Sequence, residues 1–180
     1  KKEHSKTINS IDIDSTGRFV LTCSYDKTLR IWDLEEDSNE LILKNLNGFS
    51  KAIFLELDIP SDNEKEHNEM STSIYNGHIL VVSDNLLLYN LGSQNITRFK
   101  TEASVNDFIV IPNKYRVITI ESGVNGKIIL WDLLTNKEIC SISIGRYIFS
   151  TTYIRSKKMI VVGESNGQVH FIKIDEKEFY

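Results

Sequence analysis

The sequence predicts an all-β chain built from a small antiparallel sheet repeated about four times. Three observations predict it. Apolar residues fall in short runs of strand length, dominated by β-branched and aromatic residues. Turn-forming residues separate these runs. The runs recur at a regular interval. No stretch sustains a 3.6-residue period, so no helix is predicted.

In the first unit, Ile11 and Ile13 alternate around Asp12, and Phe19 to Cys23 is a charge-free second strand. Leu29, Ile31 and Trp32 form a third strand, with turns at Ser15-Thr16-Gly17 and Asp26-Lys27. The second unit has Ile53 to Leu57, Ile79 to Val82 and Leu86 to Tyr89. The third has Phe108 to Ile111, Val117 to Ile120 and Ile128 to Trp131, with turns at Pro112-Asn113 and Asn125-Gly126. The fourth has Tyr147 to Ile148, Met159 to Val162 and Val169 to Ile174, with a turn at Asn166-Gly167.

Each unit closes on an equivalent pair: Trp32-Asp33, Tyr89-Asn90, Trp131-Asp132 and Ile172-Lys173. Successive pairs are 57, 42 and 41 residues apart. The last two intervals suit a four-stranded repeat of about 40–45 residues. The excess in the first has a home in residues 60–75. That stretch is polar and turn-rich, with Asp62, Glu64, Glu66 and Glu69 against Lys65, and reads as an inserted acidic loop. The units then span approximately 1–46, 47–100, 101–145 and 146–180, so the whole chain, 1–180, is one array.

The first unit resembles a WD repeat. His4 stands 28 residues before Trp32, and the strand, turn, strand, turn, strand order between them ends in Ser24-Tyr25-Asp26 and Trp32-Asp33. The resemblance implies a WD-type β-propeller of about four four-stranded blades. Four blades leave two end faces open, so it implies a portion of a larger, seven-bladed propeller, with a four-bladed ring as the alternative. It also implies a structural hydrogen-bond set of His4, Ser24, Asp26 and Trp32. A buried Asp26 carboxylate needs a partner, the imidazole supplies one, and the buried indole N–H needs an acceptor. Serine, histidine and aspartate are also the members of a catalytic triad, but a hydroxyl buried in such a network is no nucleophile. The other units match less well: Gly48-Phe49 stands in place of Gly-His, and Gly145-Arg146 opens the fourth.

The resemblance places partner contacts on the narrow propeller face. In this sequence those positions are Thr7, Asn9 and Tyr25 in the first unit and Ser104, Asn106 and Val124 in the third. Tyr25 beside a turn is either a contact hot spot or packs on the neighbouring loop.

Composition narrows the classes. Net charge is −4 with 26% charged residues, which argues against a broad nucleic-acid surface. Arg155, Lys157 and Lys158 read as a solvated turn. Cys23 and Cys140 lie far apart in apolar runs, which suits reduced thiols. His67, His78 and His170 lack metal-ligand spacing, and Gly77-His78 falls where a second strand should start. No metal, cofactor or catalytic residue is assigned, and no membrane span is read. The expectation is a non-catalytic, cytoplasmic or nuclear protein–protein interaction scaffold within a multiprotein complex. Its partners would be proteins or peptides, with nucleic acid reached only through a complex. The alternative is a WD-repeat subunit of an RNA- or chromatin-modifying complex that contacts nucleic acid or histone tails directly.

Overall fold

The computed structural model describes residues 3–44, 47–55, 77–111, 114–121, 123, 125–144 and 147–174. The chain divides into two compact units, Lys1–Phe99 and Lys100–Tyr180. Unit 1 holds two sheets. Sheet 1 is β1 (Ile8–Ile13), β2 (Phe19–Ser24), β3 (Thr28–Asp33) and β4 (Ser38–Lys44). Sheet 2 is β5 (Lys51–Leu55), β6 (His78–Val82), β7 (Leu86–Asn90) and β8 (Ile96–Arg98). Unit 2 repeats the plan. Sheet 3 is β9 (Val105–Ile111), β10 (Arg116–Glu121), β11 (Lys127–Asp132) and β12 (Lys137–Ser143). Sheet 4 is β13 (Ile148–Ile154), β14 (Met159–Glu164) and β15 (Val169–Lys173).

Every sheet is an antiparallel meander in chain order, because short turns join strands that pair with their sequence neighbours. The closing pairs of the four units all end a third strand. Gly17 (φ 76°) takes the left-handed corner of the β1–β2 turn, a conformation open to glycine at no steric cost. Sequence and structure differ in three places. The strands β4, β8 and β12 were not legible. The fourth sheet has three strands among the described residues rather than four. Its first strand runs to Ile154 and leads into a 3-10 turn at Arg155–Lys157. The acidic loop 60–75 and the Pro112-Asn113 turn lie outside the described residues.

Each unit closes its core between two sheets. In unit 1, Leu21, Cys23, Leu29 and Ile31 of sheet 1 pack on Phe49, Ala52, Phe54, Ile79, Val81, Leu87, Tyr89 and Leu91. In unit 2, Ile118, Ile120, Ile128 and Leu130 of sheet 3 pack on Ile148, Ile160, Val162, Ile172 and Ile174. Each fully buried aliphatic side chain contributes about 1.5–3 kcal/mol.

The first strand of each sheet is an edge, and an unpaired edge must be covered. In unit 1, side chains of β1 cover β5. Asn9 Nδ2 donates to the Phe49 carbonyl (2.7 Å), Asp12 Oδ2 accepts the Phe54 N–H (2.8 Å), and Ser10 Oγ donates to the Ala52 carbonyl (3.3 Å). Unit 2 keeps the device. Asn106 Nδ2 donates to the Ile148 carbonyl (3.3 Å), and Thr151 Oγ1 donates to Asp107 Oδ2 (2.9 Å).

Candidate functional site

At one end of sheet 1, the loop before β1 meets the β2–β3 turn. His4 is buried here and joins both. Its Nδ1 lies 2.9 Å from Asp26 Oδ2 and its Nε2 lies 2.8 Å from Thr22 Oγ1. Trp32 Nε1 donates to the same Thr22 oxygen at 2.8 Å. One proton arrangement satisfies every group: indole N–H to Thr22, Thr22 O–H to Nε2, and Nδ1–H to the Asp26 carboxylate. Asp26 also accepts the Ser5 N–H (2.9 Å), the Thr28 N–H (2.9 Å) and the Thr28 hydroxyl. Burial alone would raise this carboxyl. The Thr28 hydroxyl, His4 and the two backbone N–H groups outweigh it and hold Asp26 below the ordinary carboxylate range.

Ser24 stands outside this chain of bonds. Its hydroxyl donates to the Thr7 carbonyl (2.8 Å) and accepts the Asp26 N–H (3.0 Å), so it ties the loop backbone to the turn. The hydroxyl between imidazole and indole belongs to Thr22, which the sequence reading passed over. A signal was present: Thr22 is the one polar side chain in the run Phe19 to Cys23. Sheet 3 repeats the pair, with Trp131 Nε1 donating to Thr119 Oγ1 at 2.8 Å, both buried. At the same register, sheet 2 has Val81 with Tyr89 and sheet 4 has Val162 with Ile172. Where the tryptophan is replaced, the threonine is replaced with it.

The lock presents two of the six candidate contact residues outward. Thr7 is exposed, and its carbonyl accepts the Tyr25 N–H (3.0 Å) as well as the Ser24 hydroxyl. Tyr25 is 58% exposed, with its ring against Gly48. A Cβ at Gly48 would lie 3.1 Å from Tyr25 Cδ1, so glycine leaves the ring its seat. Asn9 is half-buried and Asn106 exposed, and the amide of each is engaged by a backbone carbonyl of the next sheet, as given above. Ser104 is exposed, and Val124 lies outside the described residues.

The opposite end of sheet 1 has its own ionic cluster. Arg18 holds Asp33 through Nε (3.0 Å) and a second guanidinium nitrogen (2.6 Å). Asp33 also accepts the Glu35 N–H at 2.9 Å. The Arg18 guanidinium is the main reason the Asp33 carboxyl is lowered to about 2. Elsewhere, His78 opens β6 as a strand residue, and His170 Nε2 lies 2.8 Å from Glu164 Oε1. His67 lies outside the described residues. Cys23 is buried, which pushes its thiol up to about 11, and Cys140 is half-buried. Among the described residues no helix is long and apolar enough to cross a membrane.

Residues 1–33 match the WD domain, G-beta repeat, family. Over 78 residues the chain is 33% identical to the protein transport protein SEC13 of Coccidioides immitis, covering 43% of this chain and 24% of that protein. It is 22% identical to a guanine nucleotide-binding protein subunit beta-like protein of Encephalitozoon cuniculi, covering 97% of this chain and 55% of that one. The chain thus spans about half, or less, of the length of these relatives. Among solved structures, the computationally designed Ika4 protein shares the fold with a TM-score of 0.66 at 11% identity, covering 97% of this chain and 95% of that one. The His4–Thr22–Trp32 lock lies in the matched residues 1–33, which form a WD repeat, and the antiparallel meanders are of the β-propeller blade type.

Proposed function

We propose that the chain is a non-catalytic protein-interaction scaffold of a multiprotein complex in the cytoplasm or nucleus, and that it presents Tyr25 and Thr7 to a protein or peptide partner. The supporting observation is the rigidity of their setting. Tyr25 is an exposed aromatic on a turn held by Asp26, His4 and Ser24, so binding costs it little conformational entropy. Asn9 and Asn106 also tie their sheet to the next through their side-chain amides. Its relatives' names, a transport protein and a G-protein subunit-like protein, fit a role in assemblies. A photo-crosslinking phenylalanine analogue placed at position 25, in cells, tests the reading. The expected result is a discrete protein adduct that is absent when the probe sits at Asp37, in the turn after β3 at the far end of the sheet. The same adducts from both positions, or none from position 25, overturn it.

A further inference from the structure

Charge is unevenly spread along sheet 1. Acidic residues outnumber basic ones in unit 1 as a whole. At the end of sheet 1 away from Tyr25, the described residues Asp14, Asp33, Glu35, Glu36 and Asp37 stand against Arg18. At the Tyr25 end the balance reverses. Lys6 lies in the loop before β1, Lys27 in the β2–β3 turn, and Lys44 at the last position of β4, in register with Thr28. All three are exposed, and none is ion-paired with a described residue.

The backbone gathers these lysines round the Tyr25 ring. Thr7, next to Lys6, accepts the Tyr25 N–H, and the Lys27 N–H donates to the Ser24 carbonyl (3.2 Å). The ring sits against Gly48, in the loop that leads from Lys44 into sheet 2. Both walls of this site therefore belong to unit 1. The carboxylates at this end have their own partners. Asp26 is enclosed in the lock, Glu3 lies 4.0 Å from the Arg30 guanidinium, and Asp84 accepts a bond from the Asn47 amide. The equivalent turns differ. Sheet 2 has Ser83-Asp84-Asn85 and sheet 4 has Ser165-Asn166-Gly167, with neither a cation nor an aromatic ring.

On the basis that Tyr25 meets a protein partner, as proposed above, we infer that the partner's segment is acidic. Its aspartates and glutamates meet Lys6, Lys27 and Lys44, while an apolar side chain covers the Tyr25 ring. Opposite charges at the rim of a contact steer the encounter and select the partner. The exposed cations are all lysines, and the half-buried Arg30 guanidinium is bonded to Asn39 (2.9 Å). The site thus offers separated point charges, which suit carboxylates spread along a chain, rather than the planar fork that matches a phosphate.

The crosslinking analogue at position 25 tests this inference separately from the contact itself. With the lysines unmodified, the adduct is digested and the attached segment is sequenced by mass spectrometry. Aspartate and glutamate are expected to outnumber lysine and arginine in it. Lys6→Glu combined with Lys27→Glu should lower the adduct yield about tenfold or more. Lys157→Glu combined with Lys158→Glu makes the same change of charge in unit 2 and should leave the yield within about twofold. All four positions are exposed, and far-UV circular dichroism checks that each fold is kept. The acidic partner is overturned, with Tyr25 still a contact, by a segment that is neutral, basic or charged by phosphate alone. A nucleic-acid adduct, a yield that survives the reversal at 6 and 27, or an equal loss from both reversals overturns it too. No adduct from position 25 overturns the contact and the acidic partner together.

Discussion

Thr22 and Thr119 carry more of the structure than their size suggests. Each is the acceptor for a tryptophan N–H, and that of Trp131 is held away from water, where a donor without an acceptor costs about 1–3 kcal/mol. Thr119→Val is expected to destabilise unit 2 by about that amount in urea denaturation. Adding Trp131→Phe removes the stranded donor, so the double variant should cost at least 1 kcal/mol less than the sum of the two single changes. Sheet 4 already has both partners apolar, Val162 with Ile172. Sequence reading found the two tryptophans and His4 through their spacing, but assigned the bridging hydroxyl to Ser24. The reason is geometric. Along a strand Thr22 and Ser24 point to the same face, and only the cross-strand diagonal to Trp32 separates their roles. Asp33 gives a residue-scale pH prediction. Its folded value of about 2 lies below the ordinary 3.8, so its contribution is complete above about pH 4. That contribution fades as pH falls through 2. Asp33→Asn should flatten the dependence of the urea midpoint on pH across that window and lower the midpoint above it.

Among the strands, those facing a neighbouring sheet were readable and the outermost were not. β2, β6, β10 and β11 are mostly buried around apolar residues such as Leu21, Leu80, Ile118 and Leu130. β8 and β12 are exposed or half-exposed at every position, and their polar residues carry no alternation that burial would impose. Such strands exist because the preceding strand offers a hydrogen-bonding edge, which is a property of the sheet rather than of their own residues. The unit period was legible because the closing pair always ends a third strand. The edge pins belong to this scale too. Asp12→Ala removes the carboxylate that accepts the Phe54 N–H. Hydrogen exchange of the Phe54 amide is expected to quicken at least tenfold, with Leu80, in the neighbouring strand, unchanged.

For the molecule as a whole, the fold class was legible from periodicity, while the division at Lys100 was not, since nothing in composition changes there. Reactivity toward thiol reagents follows from burial. Cys23, fully enclosed and with its thiol raised to about 11, should resist alkylation at neutral pH in the folded chain, whereas the half-buried Cys140 reacts first. The Cys23 labelling rate then measures how often unit 1 opens, read by mass spectrometry against urea. The chain's two tryptophans fall one to each unit, Trp32 half-buried in the first and Trp131 enclosed in the second, both hydrogen-bonded to a threonine. Nature has thereby installed a separate fluorescent gauge in either half, and replacing one indole with phenylalanine leaves the other to report whether the halves melt together or in turn.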